Sequence, residues 1–311
     1  MRRRQRPAAR PDRRDSRRRT TQHNRKGDVT MIPSRRNVLK AGAGALALAA
    51  VPANIIMGAD MEKKKIPIGL QVYSVRNEAA KDLPGVLKQI AEMGYQGVEF
   101  AGYYGRKAAE LKKMLDDNGL KCCGTHTGYN TVVGDALKAT IEFNQTIGNK
   151  YLIVPGMGKE QLGTKEAILK TAAVFAGIAE KLKPLGMYVG YHAHGGDFRK
   201  IDGETVWDIF FSNTPKEVVM QMDVGNCLGG GGDPYATLRK FPGRSLTIHI
   251  KEHGGRPGAP VGEGTVRWNE IFEICETTGG TEWYIVEHES DPKTPMDSVR
   301  KCLENLRKMG K

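Results

Sequence analysis

From residue 66 onward the chain repeats one pattern: a short apolar run, a turn, then a stretch with apolar side chains at helical spacing. The runs at 66–75, 97–100, 121–126, 151–154, 187–192, 218–223, 246–250 and 283–287 read as strands. The stretches at 83–93, 107–118, 136–147, 165–185, 204–211, 234–241, 268–277 and 294–309 read as helices. Eight such pairs in about 250 residues fit an α/β fold, a single-domain (β/α)8 barrel, in which short apolar strands are buried on both faces. A doubly wound open sheet is the competitor. The first strand is not followed by GxGxxG, which weakens a dinucleotide-binding reading.

In a barrel the reactive groups sit at the C-terminal ends of the strands. Here those ends carry Gln71 and Tyr73, Glu99, His126, His192 and His194, Asp223, His249 and Lys251, and Glu287. His192 and His194 stand two apart and face one side if the strand runs through both, before Gly195-Gly196 turns the chain. Singly, each group has a structural role open to it. His192 can be a hydrogen-bonded strand-end imidazole, Asp223 can cap the next turn, and Glu287 needs a partner if buried. Together, His192, Asp223, His249 and Glu287 at four successive strand ends point to one divalent metal ion. Imidazole with carboxylate suits Mn, Zn, Co or Fe, and Mg less well. Such a site supports isomerisation, epimerisation next to a ketone, and β-elimination.

Several segments then carry a family resemblance over roughly residues 64–308: Gly94-Tyr95-Gln96-Gly97-Val98-Glu99-Phe100, Tyr191-His192-Ala193-His194, Met222-Asp223-Val224-Gly225-Asn226, His249-Ile250-Lys251-Glu252, Gly262-Glu263-Gly264-Thr265-Val266-Arg267-Trp268 and Val286-Glu287. The chain resembles the xylose isomerase-like TIM barrels, the sugar phosphate isomerase/epimerase family. The resemblance implies one divalent ion held through Glu, Asp, His and Glu from strands five to eight, hence Asp223, His249 and Glu287 as ligands. It also exposes a departure: the fifth-strand Glu is His192 here. A neutral imidazole can ligate, but once bound it cannot serve as a carboxylate base. The base would then be His194, Lys251, Glu289 or Glu99, or the reaction would be a lyase step, or activity would be lost.

Two loops complete the expected mouth. Leu228-Gly229-Gly230-Gly231-Gly232-Asp233 is read as a flexible loop, with a phosphate cradle as the alternative. Residues 253–267, with Arg256 and Arg267, are long enough for a lid.

The net charge of +13 would suggest an anionic partner, but residues 1–60 hold 15 Lys+Arg against 4 Asp+Glu. The remainder holds 33 against 31, so no nucleic-acid surface is expected on the folded part. Residues 1–30 read as a disordered basic extension, an over-extended start to a chain whose export signal opens at Met31. Ser34-Arg35-Arg36-Asn37-Val38-Leu39-Lys40 and the mild apolar run at 41–51 resemble a twin-arginine signal peptide over 31–60, cleaved after Ala53 or Ala59. The run is too short to span a bilayer. The expected product is a periplasmic or secreted catalytic domain, 61–311, not inserted in the membrane. Five cysteines make an odd count and no disulfide framework.

The expectation is therefore a metal-dependent sugar isomerase or epimerase moving a proton next to a carbonyl. Glu287, His194 and Lys251 would act in catalysis, and His126, Glu99, Tyr73 and Arg267 would bind a small carbohydrate. A lyase acting on a keto-glycoside is the first alternative and a non-catalytic carbohydrate-binding protein the second. A DNA-repair endonuclease on a related barrel is disfavoured by the near-neutral folded part.

Overall fold

The computed structural model describes residues 65–289 and 293–311. The basic extension at 1–30 and the export signal at 31–60 lie outside the described residues. Among the described residues, eight parallel strands form one sheet: β1 Ile68–Gln71, β2 Gly97–Ala101, β3 Lys121–His126, β4 Tyr151–Val154, β5 Tyr188–His192, β6 Val219–Gln221, β7 Thr247–Ile250 and β8 Trp283–Val286. Helices α1 Arg76–Met93, α2 Ala108–Asp117, α3 Ala136–Thr146, α4 Lys165–Leu182, α5 Val206–Ser212, α6 Pro234–Lys240, α7 Trp268–Thr277 and α8 Pro295–Lys308 alternate with them. The strand order is β6-β5-β4-β3-β2-β1-β8-β7. The remaining seam, β6 to β7, is closed by a single parallel bridge between Asp223 and His249. There the His249 N–H donates to the Met222 carbonyl at 2.8 Å, and lower down the Met220 N–H donates to the Arg244 carbonyl at 2.8 Å. The fold is a single-domain (β/α)8 barrel, as the alternation requires, and two of the groups expected to bind metal also close it.

The first strand is shorter than its apolar run. Val72–Val75 is a 3₁₀ turn, started when the Gln71 carboxamide accepts from the Tyr73 N–H at 3.0 Å. Helix α1 then begins before the expected residue 83 and breaks at Asp82 (φ −147°, ψ 76°). The Asp82 carboxylate accepts from the Gly85 N–H at 3.0 Å, so it caps the second half of α1, where Pro84 has no N–H to offer. The stretch at 204–211 is likewise split. Glu204–Thr205 pairs with Lys200–Ile201 as a small antiparallel ribbon before α5 starts.

Two apolar layers hold the barrel. The larger lies between sheet and helices, with Phe175, Trp207, Phe210 and Phe272 among its largest members. The smaller plugs the N-terminal end of the barrel interior: Tyr151, Ile153 and Val219, with Tyr188, Leu246 and Trp283 packed against them. Gly190 fits this plug because a Cβ there would stand 2.6 Å from the Ile153 Cδ1 and 2.7 Å from the Val219 carbonyl. The next layer toward the C-terminal end is polar, so the barrel changes from oil to hydrogen bonds midway along its axis. All five cysteines are free and buried. Among the described residues no helix is long and apolar enough to cross a membrane.

The loop after β7 is pinned, which corrects its reading as a lid. The Glu252 carboxylate accepts four N–H groups: those of His253 (3.0 Å), Gly262 (2.6 Å), Val266 (3.2 Å) and the Trp268 indole (2.8 Å). Gly264 lies so close that a Cβ would stand 2.5 Å from Glu252 Oε1. The Asn305 amide of α8 donates to the Val261 carbonyl at 2.9 Å. Glu252→Gln keeps one oxygen and loses the charge, and should lower the unfolding free energy by about 2–3 kcal/mol. That corresponds to a Tm fall of about 5–10 °C by calorimetry. An unchanged Tm would show that the loop does not depend on this carboxylate.

Candidate metal centre at the barrel mouth

Strands β5 to β8 deliver the four expected groups to one point. His192 ends β5, Asp223 follows β6, His249 lies in β7 and Glu287 follows β8. One ligand atom from each lies within 4.8 Å of the others, and all four side chains are buried. Asp223 does two jobs with its two oxygens. Oδ1 accepts from the Asn226 N–H at 2.7 Å and caps the short helix Val224–Gly229. Oδ2 is buried without a hydrogen-bond partner among the described residues. It sits 3.7 Å from His249 Nδ1. A buried carboxylate oxygen left unsatisfied is costly, and a cation among these four side chains would satisfy it. The donor set of two imidazoles and two carboxylates therefore fits a divalent ion.

His249 is held between carboxylates: Nδ1 lies 2.5 Å from Glu287 Oε2 and Nε2 lies 2.6 Å from Glu99 Oε2. Burial pulls its pKa down, but Glu99 and then Asp223 and Glu287 raise it well above the ordinary imidazole value. The rings of His126, His192 and His194 nest beside it, with His192 at 4.7 Å from His126, 4.8 Å from His194 and 4.5 Å from His249 between centroids. Burial, then His249 and the other two imidazoles, hold the pKa of His192 well below the ordinary value, so this ring is neutral. At neutral pH His249 holds both protons, and an ion taken up through Nδ1 must displace one. Divalent-ion uptake near pH 7 should therefore release about one proton, and affinity should fall about tenfold per pH unit on acidification. Calorimetry in buffers of different ionisation enthalpy measures this. Uptake with no proton release would contradict the charge assigned to His249.

Above the four groups opens a cavity of about 1260 Å³ lined by Tyr73, His126, His192, His194, Glu287 and Glu289 among others. Lys251 reaches Glu289 Oε2 at 2.5 Å and Glu287 Oε1 at 3.7 Å. Burial lowers its pKa, but Asp223, Glu287 and Glu289 more than offset this, so Lys251 stays charged. Tyr73 is 41% exposed at the rim, with the Arg76 guanidinium 4.2 Å over its ring.

Two expected substrate contacts are corrected. Glu99 exposes no surface and spends its carboxylate on Gln71 (2.8 Å), Gln221 (2.8 Å), His126 (3.2 Å) and His249 (2.6 Å). It fits only because β3 offers Gly124, where a Cβ would stand 2.2 Å from Glu99 Oε1. Burial raises its pKa, yet His126 and His249 pull it well below the usual carboxylate range. Glu99 is thus an anion beneath the imidazoles and does not reach a substrate. Arg267 lies 3.7 Å over the Tyr235 ring, bonds Glu270 at 2.7 Å, and is not among the residues lining the cavity. The glycine loop is no phosphate cradle. Gly230 packs on Gly195, where its Cβ would meet the backbone oxygen at 2.3 Å, and Gly232 packs on Phe198. Asp197 ties the loop to β5, accepting from the Tyr191 hydroxyl at 2.9 Å and the His194 N–H at 2.8 Å.

Sequence reasoning missed Gln221, which sits between His126 and His192. The signal was present: Val219, Gln221 and Asp223 follow at period two, so Gln221 faces the same side as the aspartate.

A family model described as xylose isomerase-like TIM barrel matches residues 87–309. The chain is 26% identical to the rhizopine catabolism protein MocC of Rhizobium meliloti, over 78% of this chain and 88% of that one. It is 24% identical to an inosose dehydratase of Erwinia tasmaniensis, over 79% and 98%. Among solved structures, a sugar phosphate isomerase/epimerase from Parabacteroides distasonis superposes with TM-score 0.68 at 27% identity, over 78% of this chain and 98% of that one. The IOLI protein, solved with a binding zinc atom, shares the fold with TM-score 0.59 at 15% identity, over 79% and 96%. The alternating strands and helices, the polar mouth and the matched span agree: the chain belongs to the xylose isomerase-like TIM barrel family.

Proposed function

We propose that this chain is a divalent-metal-dependent lyase for a neutral, polyhydroxylated keto-sugar or keto-cyclitol. It removes the proton on the carbon next to the carbonyl and breaks the C–O bond one carbon further. The removed proton goes to a base, and the departing oxygen takes a proton as it leaves. The observation that carries this reading is the buried group of His192, Asp223, His249 and Glu287 under the cavity, with one carboxylate oxygen unsatisfied among the described residues. When bound, the ion supplies a Lewis acid beside a carbonyl oxygen.

The chain's own residues account for the rest. Charged Lys251 stands next to Glu287 and Glu289, where it can donate to an oxygen that gains negative charge. His194, exposed on the rim 4.8 Å from the His192 ring, accepts the proton from carbon and returns one to the departing group. Tyr73 offers an aromatic face to the C–H side of a sugar ring. His192 takes the place of the carboxylate that the family resemblance assigns to this strand, and a neutral ligating imidazole is no base. Epimerisation needs acid–base groups on both faces of the carbon, whereas elimination can proceed with one. Relatives named inosose dehydratase favour loss of water. The second reading, epimerisation, is favoured by the resemblance to the structure named sugar phosphate isomerase/epimerase.

Incubation with a 3-keto-glycoside and with an inosose in D2O separates them. The proposal expects release of the aglycone or of water, with an unsaturated ketone formed. Solvent deuterium at carbon with every C–O bond intact would mean epimerisation, and retained sugar affinity without turnover or metal would mean a binding protein. The proposal extends to export, on the twin-arginine stretch at 34–40. Cell fractionation that found the protein unmoved by Arg35→Lys with Arg36→Lys would refute that part.

A further inference from the structure

We infer that Gln221 is a positioning residue that fixes which nitrogen of His192 and of His126 faces the cavity; this rests on the metal reading above. Gln221 and Glu99 expose no surface, so water does not compete for their hydrogen bonds. The Gln71 NH2 group, whose own oxygen is taken by the Tyr73 N–H, donates to Glu99 at 2.8 Å, so Glu99 faces this cluster as an acceptor. The Gln221 amide group 2.8 Å from Glu99 Oε1, and 3.0 Å from Thr247 Oγ1, must therefore be its NH2 end. That leaves the amide oxygen facing His126 Nε2 at 2.9 Å and His192 Nδ1 at 3.0 Å. An amide oxygen only accepts, so both nitrogens carry hydrogen.

The consequence for His192 is specific. With hydrogen on Nδ1, the nitrogen left to ligate is Nε2, the atom 4.0 Å from Glu287 Oε2 and turned toward the other ligands. Glu99 completes the pair from the other side: it holds His249 Nε2 at 2.6 Å, which leaves Nδ1 facing Asp223 and Glu287. One buried Gln–Glu pair thus anchors both imidazole ligands from behind, each through the nitrogen that does not ligate. The carboxamide is required. Glutamate at 221 would set two carboxylates in contact, and methionine would keep the volume but offer neither donor nor acceptor.

The test uses the full chain with zinc as the probe. Zinc affinity is measured by competition with a chromophoric chelator for wild type, Gln221→Met and Thr247→Val. The histidine tautomers are read by ¹⁵N NMR of the metal-free wild type, the His192 signal being assigned by its loss in His192→Asn. The inference expects His192 as the Nδ1–H tautomer, a loss of about 10–100-fold in zinc affinity in Gln221→Met, and little change in Thr247→Val, which keeps the bonds from the amide oxygen. An Nε2–H tautomer in the wild type, or zinc bound equally well by Gln221→Met, would overturn it. The tautomer is read on the wild type, so it does not depend on Gln221→Met folding; only His192→Asn, used for the assignment, must fold. A wild type that binds no zinc but shows Nδ1–H on His192 would refute the metal reading and leave the role of Gln221 standing.

Discussion

Asp223→Asn should lose the divalent ion and turnover while leaving the metal-free protein at least as stable as the wild type. The two oxygens of Asp223 explain both halves. The amide oxygen of asparagine can still accept from the Asn226 N–H, so the cap on Val224–Gly229 survives. The second oxygen, buried without a hydrogen-bond partner among the described residues, is replaced by an uncharged NH2 group. Removing a buried oxygen that has no hydrogen bond relieves a cost of about 1–3 kcal/mol, offset in part by the lost attraction to His249 at 3.7 Å. Losing a ligand that carries charge should weaken the ion by more than the roughly 10–100-fold of an outer-shell change. Chelator competition, kcat and a urea titration of the metal-free protein measure the three effects. A variant that keeps the ion, or is several kcal/mol less stable, would place Asp223 in the fold and not in the site.

His249→Ala should behave in the opposite way, losing the ion and also destabilising the metal-free protein. Without this ring, Glu99, Asp223 and Glu287 face one another with no cation at their centre. A buried charge stripped of its partner costs about 3–5 kcal/mol. The pH dependence should shift as well. In the wild type the raised pKa of His249 gives stability that is fully present below the ordinary imidazole value and is lost as pH rises through the raised one. The depressed pKa of Glu99 and of Glu287 gives stability present above the ordinary carboxylate range and lost as pH falls. Removing His249 turns mutual attraction into repulsion among carboxylates, which protonation relieves, so the stability optimum should move to lower pH. Urea midpoints across the pH range test this. An unshifted optimum would mean that His249 carries no charge in the metal-free protein.

The fold was legible because its signal is periodic and local. Apolar runs such as Tyr151–Val154 are too short and too apolar for anything but buried strands, and α4 carries a face of apolar residues along its whole length. The strand-end groups were legible for the same reason: a barrel aims every strand terminus at one mouth. What lay beyond reading was depth along the barrel axis. His126 ends β3, opposite Ala101, whereas Glu99 sits a layer lower in the middle of β2, opposite Gly124, which leaves room for its carboxylate. Gln221 was missed because a single amide among apolar neighbours looks like an ordinary strand residue; only its two imidazole partners, His192 on the neighbouring β5 and His126 on β3, reveal its work. Glu252 lay inside a quoted motif, but its four N–H partners come from loop and helix positions up to 16 residues away. The loop it organises therefore looked like a lid. Arg267 looked available for a substrate until Tyr235 and Glu270 were seen to hold it.

The most direct measurement is elemental analysis of the purified full chain, run alongside Asp223→Asn and coupled to turnover of the keto substrate. The account predicts one divalent ion per chain in the wild type, none in the variant, and elimination that vanishes on chelation and returns when the ion is restored. A wild type with no stoichiometric ion, or with turnover indifferent to chelation, would contradict it.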